Sequence, residues 1–151
     1  MAPIQRNQPY ANKNFQLIIN GVADDGGAVS AGFSEISGLM VTITPIEYRN
    51  GNEDFTVHKI PGLKSYANLV CKRGATGHVQ FWEWIKSAIN GSVVRAEGSV
   101  VLQDDNAVEV MRWNFSGAWP TKYTGPSFSS LKPDTSFETL EIVVERLALA
   151  D

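Results

Sequence analysis

The chain has 151 residues, 43% hydrophobic and 19% charged, with a formal net charge of −3 and a pI near 5.4. That length fits one domain with a sizeable core. Thirteen basic residues lie scattered, with Lys72-Arg73 the one adjacent pair, which argues against sequence-specific nucleic-acid binding by a clustered basic face.

Residues 1–14 carry prolines and several Asn and Gln and read as a loose arm ahead of a single β domain over 15–151. A first strand is predicted over 15–23, with Phe15, Leu17 and Ile19 on one face; Asp24-Asp25-Gly26-Gly27 then forms a turn. A second strand covers 31–36 and is broken by Ser37-Gly38. A third covers 39–48, where Leu39, Val41 and Ile43 alternate with Met40, Thr42 and Thr44. Asn50-Gly51 is the strongest hairpin dipeptide in the chain. The surrounding segment, Glu47, Tyr48, Arg49, Asn50, Gly51, Asn52, Glu53 and Asp54, is too polar for a core. It is either a solvated turn or an arm that reaches a neighbouring subunit. The return strand covers 56–60 and is expected to end at Pro61-Gly62, with the next strand over 67–73.

Thr76 is a candidate N-cap for one helix over 78–89, closed by Asn90-Gly91. Phe81, Trp84, Ile85 and Ala88 share a face of it, as a plug for a β-structure would. Strand 93–102 alternates Val94, Ala96, Val100 and Leu102 against Arg95, Glu97 and Ser99. Asp104-Asp105-Asn106 turns the chain into 107–115, where Met111, Trp113 and Phe115 form a stripe. A further strand over 118–124 leads into a Gly/Pro/Ser-rich loop over 125–134. The last strand, 136–147, puts Leu140, Ile142 and Val144 inward and Thr139, Glu141 and Glu145 outward. Many short strands, one helix and no βαβ rhythm predict a mainly β domain, an antiparallel barrel or sandwich with one flanking helix.

Chemistry is sparse. His58 and His78 have no carboxylate at ligand spacing, the lone Cys71 excludes an internal disulfide, and no metal or cofactor site is expected. There is no Gly-x-Ser-x-Gly elbow. The segment 26–32 lacks a P-loop lysine, and the paired carboxylates sit on turn tips, so no enzyme activity is expected. No apolar run approaches the ~20 residues of a membrane span, and no signal-peptide core precedes the domain. Synthesis in the cytoplasm is the expectation, with any final location reached as part of a larger particle.

Eight blocks, in order, resemble the inner tube proteins of contractile injection systems, meaning phage tail tubes and their extracellular phage-tail-like relatives. They are Gly-Phe-Ser-Glu-Ile-Ser-Gly-Leu at 32–39, Ile-Glu-Tyr-Arg-Asn-Gly-Asn at 46–52, Lys-Ile-Pro-Gly-Leu at 59–63 and Leu-Val-Cys-Lys-Arg-Gly at 69–74. Phe-Trp-Glu-Trp at 81–84, Arg-Trp-Asn-Phe at 112–115, Ala-Trp-Pro at 118–120 and Glu-Thr-Leu-Glu at 138–141 complete the set. Cys71 stands where the family pattern calls for an aliphatic residue. The resemblance implies an Hcp-like β domain whose six copies join sheets edge to edge into a ring. Rings then stack into a hollow tube, driven by a sheath, tipped by a baseplate spike and closed by a terminator, with DNA or a toxin in the lumen. It carries no catalytic residue.

Free strand edges favour such pairing, and 93–102 and 136–147 are the longest candidates for those edges. Their polar faces (Arg95, Glu97, Ser99, Thr139, Glu141 and Glu145) suit a water-filled channel wall, and 47–54 suits the contact between rings. Two other readings stand beside this one. The first is a monomeric β-sandwich binding module that stacks a glycan on Trp82, Trp84 or Trp119. The second is a baseplate or terminator adaptor built on the same fold.

Overall fold

Alternation of apolar and polar residues sets the strands, and the computed structural model describes them over residues 2–21, 28–31 (backbone alone), 33–52, 55–75, 77, 79–132 and 134–151. The order is β1 (Phe15–Asn20), β2 (Ala28–Ala31), β3 (Glu35–Ser37), β4 (Val41–Tyr48), β5 (His58–Tyr66), β6 (Leu69–Gly74), α1 (Gln80–Ile89), β7 (Ala96–Gln103), β8 (Glu109–Thr124), β9 (Phe137–Val143) and β10 (Arg146–Leu149). All strands but β4 and β5 form one antiparallel sheet in the order β2-β1-β7-β8-β9-β6-β3, with β10 also on β8. β4 and β5 pair only with each other.

The sheet closes over itself because β8 bends. Its first half pairs with β7 and β10, and its second half pairs with β9. The turn falls at Gly117, whose φ of +64° suits glycine. Inward residues from the two halves then meet: Leu17, Ile19, Val100 and Phe115 from one, Leu69, Cys71, Leu140 and Ile142 from the other. Each such side chain taken from water stabilises the fold by about 1.5–3 kcal/mol. Gly98 on β7 has no room for a Cβ, which would sit 2.1 Å from the Ile18 carbonyl oxygen and 2.6 Å from Phe115 Cζ.

Helix α1 plugs this core with Phe81, Trp84 and Ile85. The Trp84 indole N–H donates to the Val94 carbonyl at 2.8 Å, and Phe33 stacks on Phe81 at 5.6 Å. The helix begins at Gln80, two residues after the expected start, with Val79 in the cap position and no side-chain cap. Thr76 and His78 lie outside the described residues. Asn90 and the positive-φ Gly91 close it as expected. A buried ion pair joins β6 to β9 beneath the helix, and its guanidinium also meets a helix side chain. Arg73 Nε donates to Glu138 Oε1, Tyr123 O–H donates to Glu138 Oε2 at 2.8 Å, and the guanidinium lies 4.0 Å from the centre of Phe81.

Several expected boundaries moved. The strand expected over 31–36 is two strands on different neighbours, β2 on β1 and β3 on β6. Pro61-Gly62 does not end β5, which runs on to Tyr66. A proline lacks the ladder N–H, but in a two-stranded ribbon every strand has a free side on which that loss is harmless. Pro45 faces Pro61 across the ribbon, beside a register shift. Residues 118–124 continue β8, and the last expected strand breaks at 144–145, where the Glu145 N–H reaches the Ser116 carbonyl at 3.1 Å. Strands β7 and β9 are flanked on both sides, so they are not edges. Among the described residues the free margins belong to β2, β3, β10 and the β4–β5 ribbon. The residues of the expected arm include two tethered points: Ile4 N–H donates to the Val110 carbonyl at 3.0 Å, and Asn14 O accepts from Gln103 N–H at 2.8 Å.

Candidate functional site

The most unusual surface is the β4–β5 ribbon. Every residue of β4 is exposed and none of β5 is buried, so the ribbon stands clear of the body. Among the described residues, ten of the twenty exposed large hydrophobic side chains fall between Leu39 and Leu63. Pairing and parity put Val41, Ile43, Pro45 and Pro61 on one face, and Ile46, Tyr48 and Ile60 on the other. Gly62 allows this close pairing, since a Cβ there would lie 2.4 Å from the Thr44 carbonyl oxygen.

The ribbon carries the polar residues singled out from the sequence. Glu47 faces Lys59 at 3.9 Å, and Tyr48 stacks on His58 at 5.2 Å. Arg49, Asn50, Gly51 and Asn52 are exposed near the tip, while Glu53 and Asp54 lie outside the described residues. Sequence reasoning missed the apolar residues below the tip, because their alternation is that of a half-buried core strand. The signal that could have found them is a pair of prolines, Pro45 and Pro61, on both sides of one Asn-Gly turn.

The outward face of β1, β7 and β8 is the second candidate surface. A shallow groove there is lined by the polar Asn20, Glu97, Ser99, Asn114, Ser116 and Arg146 together with Phe115 and Ala148. Ser99 O–H donates to Asn114 Oδ1 at 2.6 Å, and Arg95 pairs with Glu145 nearby. On the same strand Arg112 grips Glu109 with two hydrogen bonds of 2.8 and 2.7 Å, which hold that carboxyl below the ordinary range. Thr139 and Glu141 are not part of this surface. They sit on β9 opposite Lys72 and Val70, on the outer side of the other half of the sheet, where Glu141 accepts from Asn68 at 2.9 Å. Asn114 and Ser116 escaped the sequence reading, although they occupy the alternate positions of the strand whose stripe of Met111, Trp113 and Phe115 was noted, and so face the other way.

The tryptophans do not form a platform. Trp84 is buried and Trp119 half-buried; Trp82 alone of the three is exposed, and its ring meets Tyr123 edge-on at 5.5 Å. Among the described residues no three His, Cys, Asp or Glu side chains group as metal ligands, and no helix is long and apolar enough to cross a membrane.

Comparison with known proteins agrees with this arrangement. No curated protein sequence matches the chain. A chain in the sheath-tube complex of an extracellular contractile injection system, PVC, in the extended state is 25% identical, covering 95% of this chain and 93% of that one with a TM-score of 0.82. A chain from the tube-terminating cap of the anti-feeding prophage is also 25% identical, covering 97% and 94% with a TM-score of 0.81. Hcp1 from Flavobacterium johnsoniae shares the fold at 15% identity, covering 91% and 94% with a TM-score of 0.54. Residues 11–148 match the family described as T4-like virus tail tube protein gp19, and the chain belongs to that family of structural tube proteins.

Proposed function

We propose that six copies of this chain close into a ring, and that rings stack into the hollow inner tube of a contractile, phage-tail-like injection particle. The observation that carries this reading is the β4–β5 ribbon, a long two-stranded element with exposed apolar residues on both faces and only Tyr66, at its root, packed on the core. Two strands alone are marginal in water, and an apolar surface of this kind marks an interaction site. The free margins of β2, β3 and β10 support lateral pairing, which a ring satisfies by symmetry.

In this reading the ribbon makes the ring-to-ring contact. The contact extends from Tyr48, Arg49, Asn50 and Asn52 at the tip down to Ile46, Ile60 and Leu63. Glu97 and Ser99 face the lumen together with Asn20, Asn114, Ser116 and Arg146. Arg95 and Glu145 lie at its border. Thr139 and Glu141 then look away from the lumen. The role is that of a passive conduit for a toxin or nucleic acid and not of a catalyst. Sheath, baseplate and terminator are its partners in the assembled particle, as the names of the PVC and anti-feeding prophage complexes suggest.

Negative-stain imaging of concentrated protein tests this directly, with rings and tubes as the expected objects. Deleting residues 49–53 is expected to leave soluble rings that no longer elongate. Tubes of normal length from that deletion would defeat the stacking role, and a strictly monomeric wild type would defeat the whole reading.

A further inference from the structure

The ribbon must meet something on the next copy, and the topology narrows where. β3 and β6 are antiparallel with Ser37 opposite Val70, so the chain leaves β3 and re-enters at Leu69 on the same end of the sheet. The ribbon is therefore rooted at the Leu69 end of β6. The loop between Thr124 and Phe137 lies at the other end, because Phe137 pairs with Gly74 and Thr124 with Thr139. The six residues of β6 separate the two ends by roughly 17 Å.

That far loop carries its own unexplained feature. Phe128 is 84% exposed and Leu131 91% exposed, in a stretch otherwise made of Gly, Pro, Ser and Lys. On the ribbon, Phe55 is 99% exposed and Leu63 85%. One exposed large hydrophobic residue is ordinary. Two such clusters, at opposite ends of one strand ladder, are what a growing stack requires. A ribbon-on-ribbon contact would be self-complementary and would stop after two layers. Indefinite growth needs a head-to-tail contact between different surfaces.

We propose that the 125–132 segment, through Phe128 and Leu131, is the surface on which the ribbon of the next copy docks. The occupant is thus a second copy of this chain. The inference rests on the stacking role given above and adds the identity of the receiving surface.

A photocrosslinking amino acid, p-benzoylphenylalanine, placed at Phe55 in the full chain tests it. Tubes are assembled from equal parts of isotopically light and heavy protein, irradiated and digested. The expected adduct joins light and heavy chains and maps to 125–132; mixed adducts mapping only elsewhere overturn the proposal. Independently, Phe128→Ser with Leu131→Ser is expected to raise the protein concentration needed for tubes by at least about tenfold. Ring size and unfolding midpoint should stay unchanged, because both side chains already face water. Tubes of wild-type length at wild-type concentration from this variant refute the receiving surface while leaving ring stacking intact. Failure of the wild type itself to form tubes removes the stacking role and this inference together.

Discussion

Replacing Arg73 with Met probes the one fully enclosed charge network in the described part of the molecule. Arg73 and Glu138 are only 4% and 8% exposed, and they are register partners on β6 and β9. Methionine keeps much of the length of arginine but strands the Glu138 carboxylate, which retains the Tyr123 hydroxyl at 2.8 Å. Breaking a buried pair from one side costs about 3–5 kcal/mol. Loss of the guanidinium from the Phe81 face removes about 1 kcal/mol more. A total near 5 kcal/mol is a large part of a typical domain stability of about 5–15 kcal/mol. At this chain length it corresponds to a fall in Tm of roughly 10–20 °C. Urea unfolding followed by tryptophan fluorescence, on protein dilute enough to be unassembled, reads it out. The double variant Arg73→Met, Glu138→Leu is expected to recover at least half of the loss, since no orphaned charge remains. A single-variant cost below about 1 kcal/mol, or a double variant no better than the single, would refute the reasoning.

Three further outcomes follow from the same core. Tyr123→Phe should cost about 1.5–3 kcal/mol at neutral pH by removing a hydrogen bond to a charged group, measured in the same urea assay. Burial, and then the bond to Glu138, raise the Tyr123 phenol above its ordinary value. Its contribution is therefore complete below the unfolded value of about 10 and lost as pH rises through the folded one, and the variant should show a flatter alkaline limb. Gly98→Ala, whose new Cβ would meet the Ile18 carbonyl oxygen at 2.1 Å, should destabilise by about 1–3 kcal/mol and lower the thermal midpoint. Burial pushes the Cys71 thiol up to about 12, so a thiol reagent at pH 8 should label it only as fast as the protein unfolds. Rapid labelling of folded protein would contradict that placement.

The fold class was legible because strand alternation and one aromatic helix are local signals. Leu17, Ile19, Phe81, Trp84, Leu140 and Ile142 are all buried, as their periodicity predicted. What periodicity cannot supply is the number of neighbours a strand will have. Leu39, Val41 and Ile43 alternate as a core strand does, yet Val41 and Ile43 stand exposed on a two-stranded ribbon. The same blindness put β7 and β9 at the margins when they are interior. It also joined Glu97 and Ser99 with Thr139 and Glu141, although folding carries the two pairs to different outer faces. The Arg73–Glu138 pair was beyond sequence reasoning altogether, since Lys72-Arg73 reads as an ordinary exposed basic pair until the register buries one member.

A closed body and an uncovered ribbon divide the labour between folding and assembly. The body folds around its own buried cluster of Leu17, Ile19, Phe81, Leu140 and Ile142, to which none of the exposed ribbon side chains belongs. The ribbon's apolar side chains are exposed, and a net contact of about 2 kcal/mol from one ribbon would alone be far weaker than millimolar. On the proposed assembly the six ribbons of one ring engage together, and the same contact summed over the layer reaches about 12 kcal/mol, a nanomolar association before the cost of aligning the rings. Free protomers therefore stay apart while completed rings stack. The arrangement also amplifies small defects. A loss of about 1 kcal/mol per protomer becomes about 6 per layer, some four orders of magnitude in stacking affinity. Tube length should thus collapse abruptly, not decline gradually, as progressively polar residues replace Ile60 or Leu63. A gradual decline would mean that layers grow one protomer at a time.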